Sequence, residues 1–177
     1  MAIAIIDYGM GNVHSVFKAV ESLGFDAVIT CDKKIISKSD KLILPGVGAF
    51  PDAMKNLRKL GLVGVIKEDV LENKKPIMGI CLGMQLFAQK GFELRECAGL
   101  GLIEGEVIRF ELSGQKLKVP HVGWNNLVKY DSNCALFKRL TKDQLDFYFV
   151  HSYYLNPKNP SDVAGVCNYG IDFTACV

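Results

Sequence analysis

The sequence contains no Cys-x-x-Cys pair, and its six cysteines stand singly at positions 31, 81, 97, 134, 167 and 176. It has no basic leader either. "MAIAIIDYG" lacks a positive n-region and reaches Asp7 too early for a signal peptide. Free thiols in a reducing cytoplasm are therefore expected, not a disulfide framework. No apolar run approaches the roughly 20 residues that cross a bilayer, so no membrane association is expected. Histidine is scarce. His14, His121 and His151 lie far apart and without paired ligand spacing, so neither a metal nor a cofactor is expected. Lysine and arginine are scattered among acids, and the net charge is only +2. Nothing there favours nucleic acid. Repeats, linkers and low-complexity segments are also missing.

What remains is one domain's worth of chain. Its 177 residues can bury a core without staples. The apolar share of 49% and charged share of 23% are ordinary for a globular protein. The run "AIAII" (2–6) reads as a strand buried on both faces. Val13, Val16, Phe17, Val20 and Leu23 then follow the spacing of one helix face, with Gly24 placed as a helix stop. "DAVIT" (26–30), "KLILPG" (41–46) and "PIMGI" (76–80) read as further strands. "AFPDAMKNLRKLG" (49–61), "LVGVIKEDVLENKK" (62–75) and "LGMQLFAQKG" (82–91) read as helices. Such alternation predicts βαβ units and a mainly parallel sheet. The second half changes character. "GLIEGEVIRFEL", "KLKVPHVGWNNLVKY", "LDFYFVHSYYL", "VAGVCNYG" and "DFTACV" read as strands joined by turns, which predicts a more antiparallel part within the same single domain, 1–177.

Two glycine-containing junctions bear on chemistry. Gly9-Met10-Gly11 follows the first strand like the start of a dinucleotide fingerprint, but the third glycine position holds His14 and the match fails. A tight strand-to-helix turn explains it. "GICLG" (79–83) places a thiol between a strand and a helix, the nucleophile-elbow pattern with cysteine in place of serine. Gly79 and Gly83 fit positions where side chains would clash. A helix N-terminus beside the sulfur would favour the thiolate, and the Leu82 N–H could hold an oxyanion. The alternative is a structural cysteine at a strand–helix junction. Pro45-Gly46-Val47-Gly48 follows another strand, and its glycines permit close backbone approach. Alone it would be a turn.

"GICLGMQ", "PGVGAF", "DYGMGNVHS", "VPHVGWN" and "YFVHSY" together resemble the class I (triad) glutamine amidotransferases. More closely, they resemble the glutaminase subunits of imidazole glycerol phosphate synthases. The resemblance implies an α/β fold with a central, mainly parallel sheet flanked by helices and a more antiparallel C-terminal part. It implies glutamine as substrate and Cys81 as nucleophile. Gly46, Val47, Gly48 and Leu82 would form the oxyanion and substrate site with Gln85, which lies at i+4 from Cys81. The backbone around Ser152 and Tyr153 would bind the amino-acid end of glutamine. It also implies a (β/α)₈-barrel cyclase partner in a heterodimer, contacted by Asn12, Trp124 and Tyr148. Without the resemblance, core packing would explain the single tryptophan nearly as well.

The family completes its triad with a His and a Glu in an H-P-E motif near the C-terminus. No H-P-E occurs in this sequence. The catalytic His and Glu are expected beyond Val177, and these 177 residues alone are expected to show little or no glutaminase activity. A protein that lacks its base is the second option, and replacement of the base by His151 the third. Three other readings stay open at this level: a paralogue supplying ammonia for sugar amidation, a non-catalytic binding module, and a cysteine hydrolase of the same elbow fold.

Overall fold

β1 (Ala2–Ile6) is apolar throughout, and four of its five residues are buried. It runs parallel to β2 (Asp26–Thr30) on one side and β3 (Lys41–Gly46) on the other. β4 (Ile77–Cys81) adds in parallel to β3, giving the order β2-β1-β3-β4. The computed structural model describes residues 2–114, 116–141 and 144–177. The chain divides into two compact units, Met1–Leu102 and Ile103–Val177. The predicted change from parallel to antiparallel pairing is borne out.

In the first unit, α1 (Val13–Ser22) starts at Asn12, whose side chain accepts the Ser15 N–H at 3.1 Å. Val13 and Val20 are buried, but Leu23 is 73% exposed. The helical stripe ends one turn earlier than its spacing suggests, because Gly24 turns the chain at φ +78°. α2 (Lys33–Lys38) was not anticipated. Asp32 caps it by accepting the Lys34 and Ile35 N–H groups at 2.7 and 3.2 Å. α3 (Phe50–Lys59) carries proline and Asp52 in its first turn and Arg58 and Lys59 in its last, as the helix dipole favours. Gly61, at φ +65°, separates it from α4 (Leu62–Lys67), which continues into a π-helical turn over Glu68–Glu72.

The helix predicted over 82–91 is much shorter. α5 covers only Leu82–Gln85. Carbonyls that would continue it accept other donors: the Leu100, Leu102, Gly101 and Gly99 N–H groups bond the carbonyls of Leu86, Phe87, Ala88 and Gln89 at 2.8–2.9 Å. Long-range backbone pairing thus replaces the helical ladder. β5 (Lys90–Gly91) and β6 (Cys97–Ala98) pair antiparallel.

In the second unit, β7 (Gly105–Arg109) pairs antiparallel with β10 (Tyr153–Pro157). β8 (His121–Tyr130), β9 (Asp146–His151), β11 (Gly165–Asn168) and β12 (Asp172–Cys176) form an antiparallel sheet ordered β12-β11-β8-β9. The segment read as one strand over 145–155 is two. Ser152 bends the chain, and β9 and β10 pair with different neighbours. Phe110, Leu112, Leu127, Phe137, Leu145, Cys167 and Phe173 form this unit's apolar cluster.

Lys75 and Asp69 make an ion pair at 3.0 Å whose side chains are only 9% and 3% exposed. Lys75 also donates to the Ile36 and Ser37 carbonyls at 2.9 Å, holding the end of α2 against the strand entry. A buried carboxylate stripped of its cation is strongly destabilising. Lys75→Met is therefore expected to lower unfolding free energy by about 3–5 kcal/mol, read from urea melts. Adding Asp69→Leu should restore part of that loss, and a loss under about 1 kcal/mol for the single variant would refute the assignment.

Candidate active site

The parallel register of β3 and β4 ends with Gly46 opposite Cys81 and Pro45 opposite Ile80. The candidate nucleophile and the glycine-containing loop thus leave adjacent strand ends side by side. Cys81 has φ 54° and ψ −115°, a conformation that residues with a side chain rarely adopt. It ends β4, and α5 begins at the next residue, which is the elbow the spacing predicts.

The elbow closes only without neighbouring side chains. A Cβ on Gly79 would sit 2.6 Å from the Met84 backbone, and one on Gly83 would overlap the Leu44 carbonyl. A Cβ on Gly46 would lie 2.5 Å from the Tyr8 hydroxyl and 2.9 Å from the Gly83 nitrogen. Gly48 takes φ +112°, where a Cβ would also meet Met10 at 2.7 Å. Val47, between them, is 64% exposed. Leu82 is buried, and its N–H draws the Cys81 thiol pKa down. Gln85 is buried one turn further along the same short helix.

The electrostatics correct one expectation. Burial pushes the Cys81 thiol up, outweighing the downward pull of the Leu82 N–H. Cys81 as a residue is exposed, yet protein packs around its sulfur closely enough for desolvation to dominate. A helix of four residues has too little aligned dipole to reverse this. The thiol therefore rests protonated at neutral pH and needs a base to become a nucleophile.

Tyr8 was missed as a site residue. It is 2% exposed, and among the described residues its hydroxyl has no hydrogen-bond partner. That hydroxyl fills the space left by the absent Cβ of Gly46. Burial, and secondarily the charge of Cys81, push its phenol pKa well up. A tyrosine inside "DYGMGN" has no periodicity that would point to this role; only the folded register of β1, β3 and β4 reveals it.

The other candidates lie elsewhere. Asn12, in the first unit, is exposed and caps α1. Ser152 and Tyr153 belong to the second unit, where the Ser152 carbonyl accepts the Phe110 N–H at 3.0 Å. Trp124 and Tyr148 are cross-strand partners in the β8–β9 hairpin, 74% and 57% exposed, with rings T-shaped at 5.7 Å. Core packing is thus excluded for the tryptophan. His121 and His151, 30 residues apart in sequence, meet at 3.0 Å between Nδ1 of the first and Nε2 of the second. His14 is exposed on α1. Among the described residues no group of three or more His, Cys, Asp or Glu side chains could hold a metal ion, and no helix is long and apolar enough to cross a membrane.

Residues 4–174 match the family model "Glutamine amidotransferase class-I". The chain is 50% identical over 175 residues to the imidazole glycerol phosphate synthase subunit HisH 1 of Campylobacter jejuni, covering 98% of this chain and 84% of that protein. It is 45% identical over 175 residues to subunit HisH 2 of Methanococcus maripaludis, covering 99% and 85%. Among solved structures, a crystal structure of a glutamine amidotransferase superposes with a TM-score of 0.69 at 17% identity, covering 94% of this chain and 84% of the other. That likeness bears on the fold alone.

The contact between Tyr8 and Gly46 is testable by a double-mutant cycle. Tyr8→Phe removes an unpartnered buried hydroxyl, so the melting temperature should hold or rise. Gly46→Ala should destabilise the protein, and by at least about 0.5 kcal/mol less in the Tyr8→Phe background, because one of its clashes is then gone. Strictly additive effects would show that the hydroxyl does not occupy this space.

Proposed function

Since the chain belongs to the class I glutamine amidotransferases, we propose that it is the glutaminase subunit of an imidazole glycerol phosphate synthase, releasing ammonia for a step of histidine biosynthesis. The observation that carries the reading is the β3–β4 register, which sets Gly46 and its loop opposite Cys81. Its relatives of 45–50% identity bear that subunit's name.

In this mechanism the Cys81 sulfur, once deprotonated, attacks the side-chain carboxamide carbon of glutamine. The carbonyl oxygen becomes an oxyanion, held by the Leu82 N–H and by backbone N–H at Val47–Gly48. Gln85 contacts the substrate, and the backbone at Ser152–Tyr153 receives its amino-acid end. Collapse of the tetrahedral species breaks the C–N bond. The proton taken from the thiol goes to the leaving nitrogen, which departs as ammonia. Water then attacks the glutamyl thioester, releasing glutamate and the free thiol. Ammonia passes to a (β/α)₈-barrel cyclase in the cytoplasm, docked in a heterodimer at Asn12, Trp124 and Tyr148. Exposed Trp and Tyr suit such an anchor.

Burial raises the Cys81 pKa, so this mechanism calls for a base. His151 does not suit the role. Its Nε2 faces His121 and its Nδ1 bonds the Tyr153 carbonyl at 3.0 Å, so both ring nitrogens are engaged. His121 is likewise engaged at both nitrogens. Both histidines are thus occupied by partners of their own unit, and neither is assigned as the base.

Two outcomes test this. With the full gene product and its barrel cyclase, Cys81→Ala should abolish glutamate formation, and a diazo-ketone analogue of glutamine should label Cys81 in the parent. Residues 1–177 alone should turn over glutamine about 10²–10⁴-fold more slowly, lacking acid–base assistance. Labelling at another cysteine, or full turnover by the 177 residues, would overturn the respective assignments.

A further inference from the structure

The β8–β9 hairpin buries a directional run of hydrogen bonds on the face opposite Trp124 and Tyr148. His121 and His151 are cross-strand partners. The Asn125 amide nitrogen lies 3.4 Å from His121 Nε2 and donates to the Asn168 carbonyl at 2.9 Å, while its oxygen accepts the Asn126 N–H at 2.9 Å. Those two backbone bonds orient the amide, so its nitrogen faces the imidazole. His121 Nε2 must then accept, and its proton sits on Nδ1. That N–H donates to His151 Nε2 at 3.0 Å. His151 in turn carries its proton on Nδ1 and donates to the Tyr153 carbonyl at 3.0 Å. One arrangement satisfies every group: two neutral Nδ1–H tautomers pointing the same way, from Asn125 to the carbonyl.

The surroundings hold this arrangement in place. His121 is 2% exposed and stacks on Tyr169 at 4.0 Å and on Phe149 at 5.0 Å. Phe110 and Phe173 pack edge-on or tilted against His151 at 5.0 and 5.1 Å. Of these four facing rings only Tyr169 carries an ionisable group, and its phenol donates to the Lys118 carbonyl at 2.8 Å. The run ends where the chain passes from one sheet pairing to another. β9 stops at His151, β10 starts at Tyr153, and Ser152 between them belongs to neither strand.

We infer that Asn125, His121 and His151 are positioning residues for glutamine: by fixing the Tyr153 carbonyl, while Phe110 fixes that of Ser152, they set the peptide planes that receive the substrate's amino-acid end. The inference rests on the role given to Ser152–Tyr153 above. Protonation undoes the arrangement. A proton on His151 Nε2 would face the His121 N–H, and one on His121 Nε2 would face the Asn125 amide. Burial lowers both imidazole pKa values; at His151 the Tyr153 carbonyl pulls the other way and the nearby His121 ring adds to the lowering, so the net direction stays down. The neutral run is therefore intact above the ordinary histidine range near 6.5 and is lost as pH falls below it.

The test uses the full chain with its cyclase partner. Side-chain ¹⁵N spectra at neutral pH should show both rings as Nδ1–H tautomers, although free imidazole favours the other. An Nε2–H tautomer at either ring overturns the assignment, whether or not the protein turns over glutamine. His151→Phe should raise KM for glutamine about tenfold, the equivalent of one hydrogen bond, with kcat changed much less. His151→Asn, which keeps a donor near the carbonyl, should recover most of that affinity. In the parent, KM should be flat above pH 6.5 and climb below it; in the Asn variant the climb should vanish. Loss of kcat and KM together in both variants, in step with melting temperature, would reduce the pair to packing and overturn the proposal. Absence of glutaminase activity in the parent complex would overturn the catalytic reading and the positioning role with it, leaving the tautomers to be judged by the spectra.

Discussion

The parallel pairing of β3 with β4 is the constraint on which the rest of the first unit depends. It brings the end of one strand, Gly46, directly opposite the end of the next, Cys81. Two backbones, a helix start and a tyrosine hydroxyl then converge in a space that admits no Cβ at Gly46 or Gly83. The strained dihedrals of Cys81 follow from the same crowding, since the chain must reverse from strand to helix within one residue. Buried apolar strands on the inner side of the sheet, β1 and β3, supply the rigidity that holds such a conformation.

Holding a thiol in that corner has an electrostatic consequence. Desolvation keeps Cys81 protonated, and one N–H at the start of a four-residue helix does not offset it. The elbow fixes where the thiol sits, and burial disfavours its charged form. The second unit has its own polar device, a neutral imidazole pair inside an aromatic cage. There too, geometry and not charge does the positioning.

Much of the fold was legible in the residues. The apolar runs marked the parallel strands within one residue of their observed limits, and strand-like segments joined by turns marked the antiparallel half. The failures share one cause. The helix after Cys81 was read too long because its sequence stays helix-compatible, yet backbone N–H groups from residues 99–102 capture the carbonyls that would extend it. The strand over 145–155 was read as one because its residues favour extended structure throughout, whereas sheet pairing splits it at Ser152. In both, long-range hydrogen bonding overrode local propensity. The helix at 33–38 was legible in principle from the Asp32 cap.

The sequence by itself determined the family, through short motifs whose glycines and thiol are dictated by local stereochemistry. It also determined which strands are buried on both faces, because that requirement is written in consecutive apolar side chains. Only the tertiary structure decided that Tyr8 stands behind Gly46, that His121 and His151 touch, and that Trp124 is outside the core. Those facts depend on register between segments distant in the chain. Register is chosen by the summed packing of whole strands, a quantity that no short stretch of residues contains.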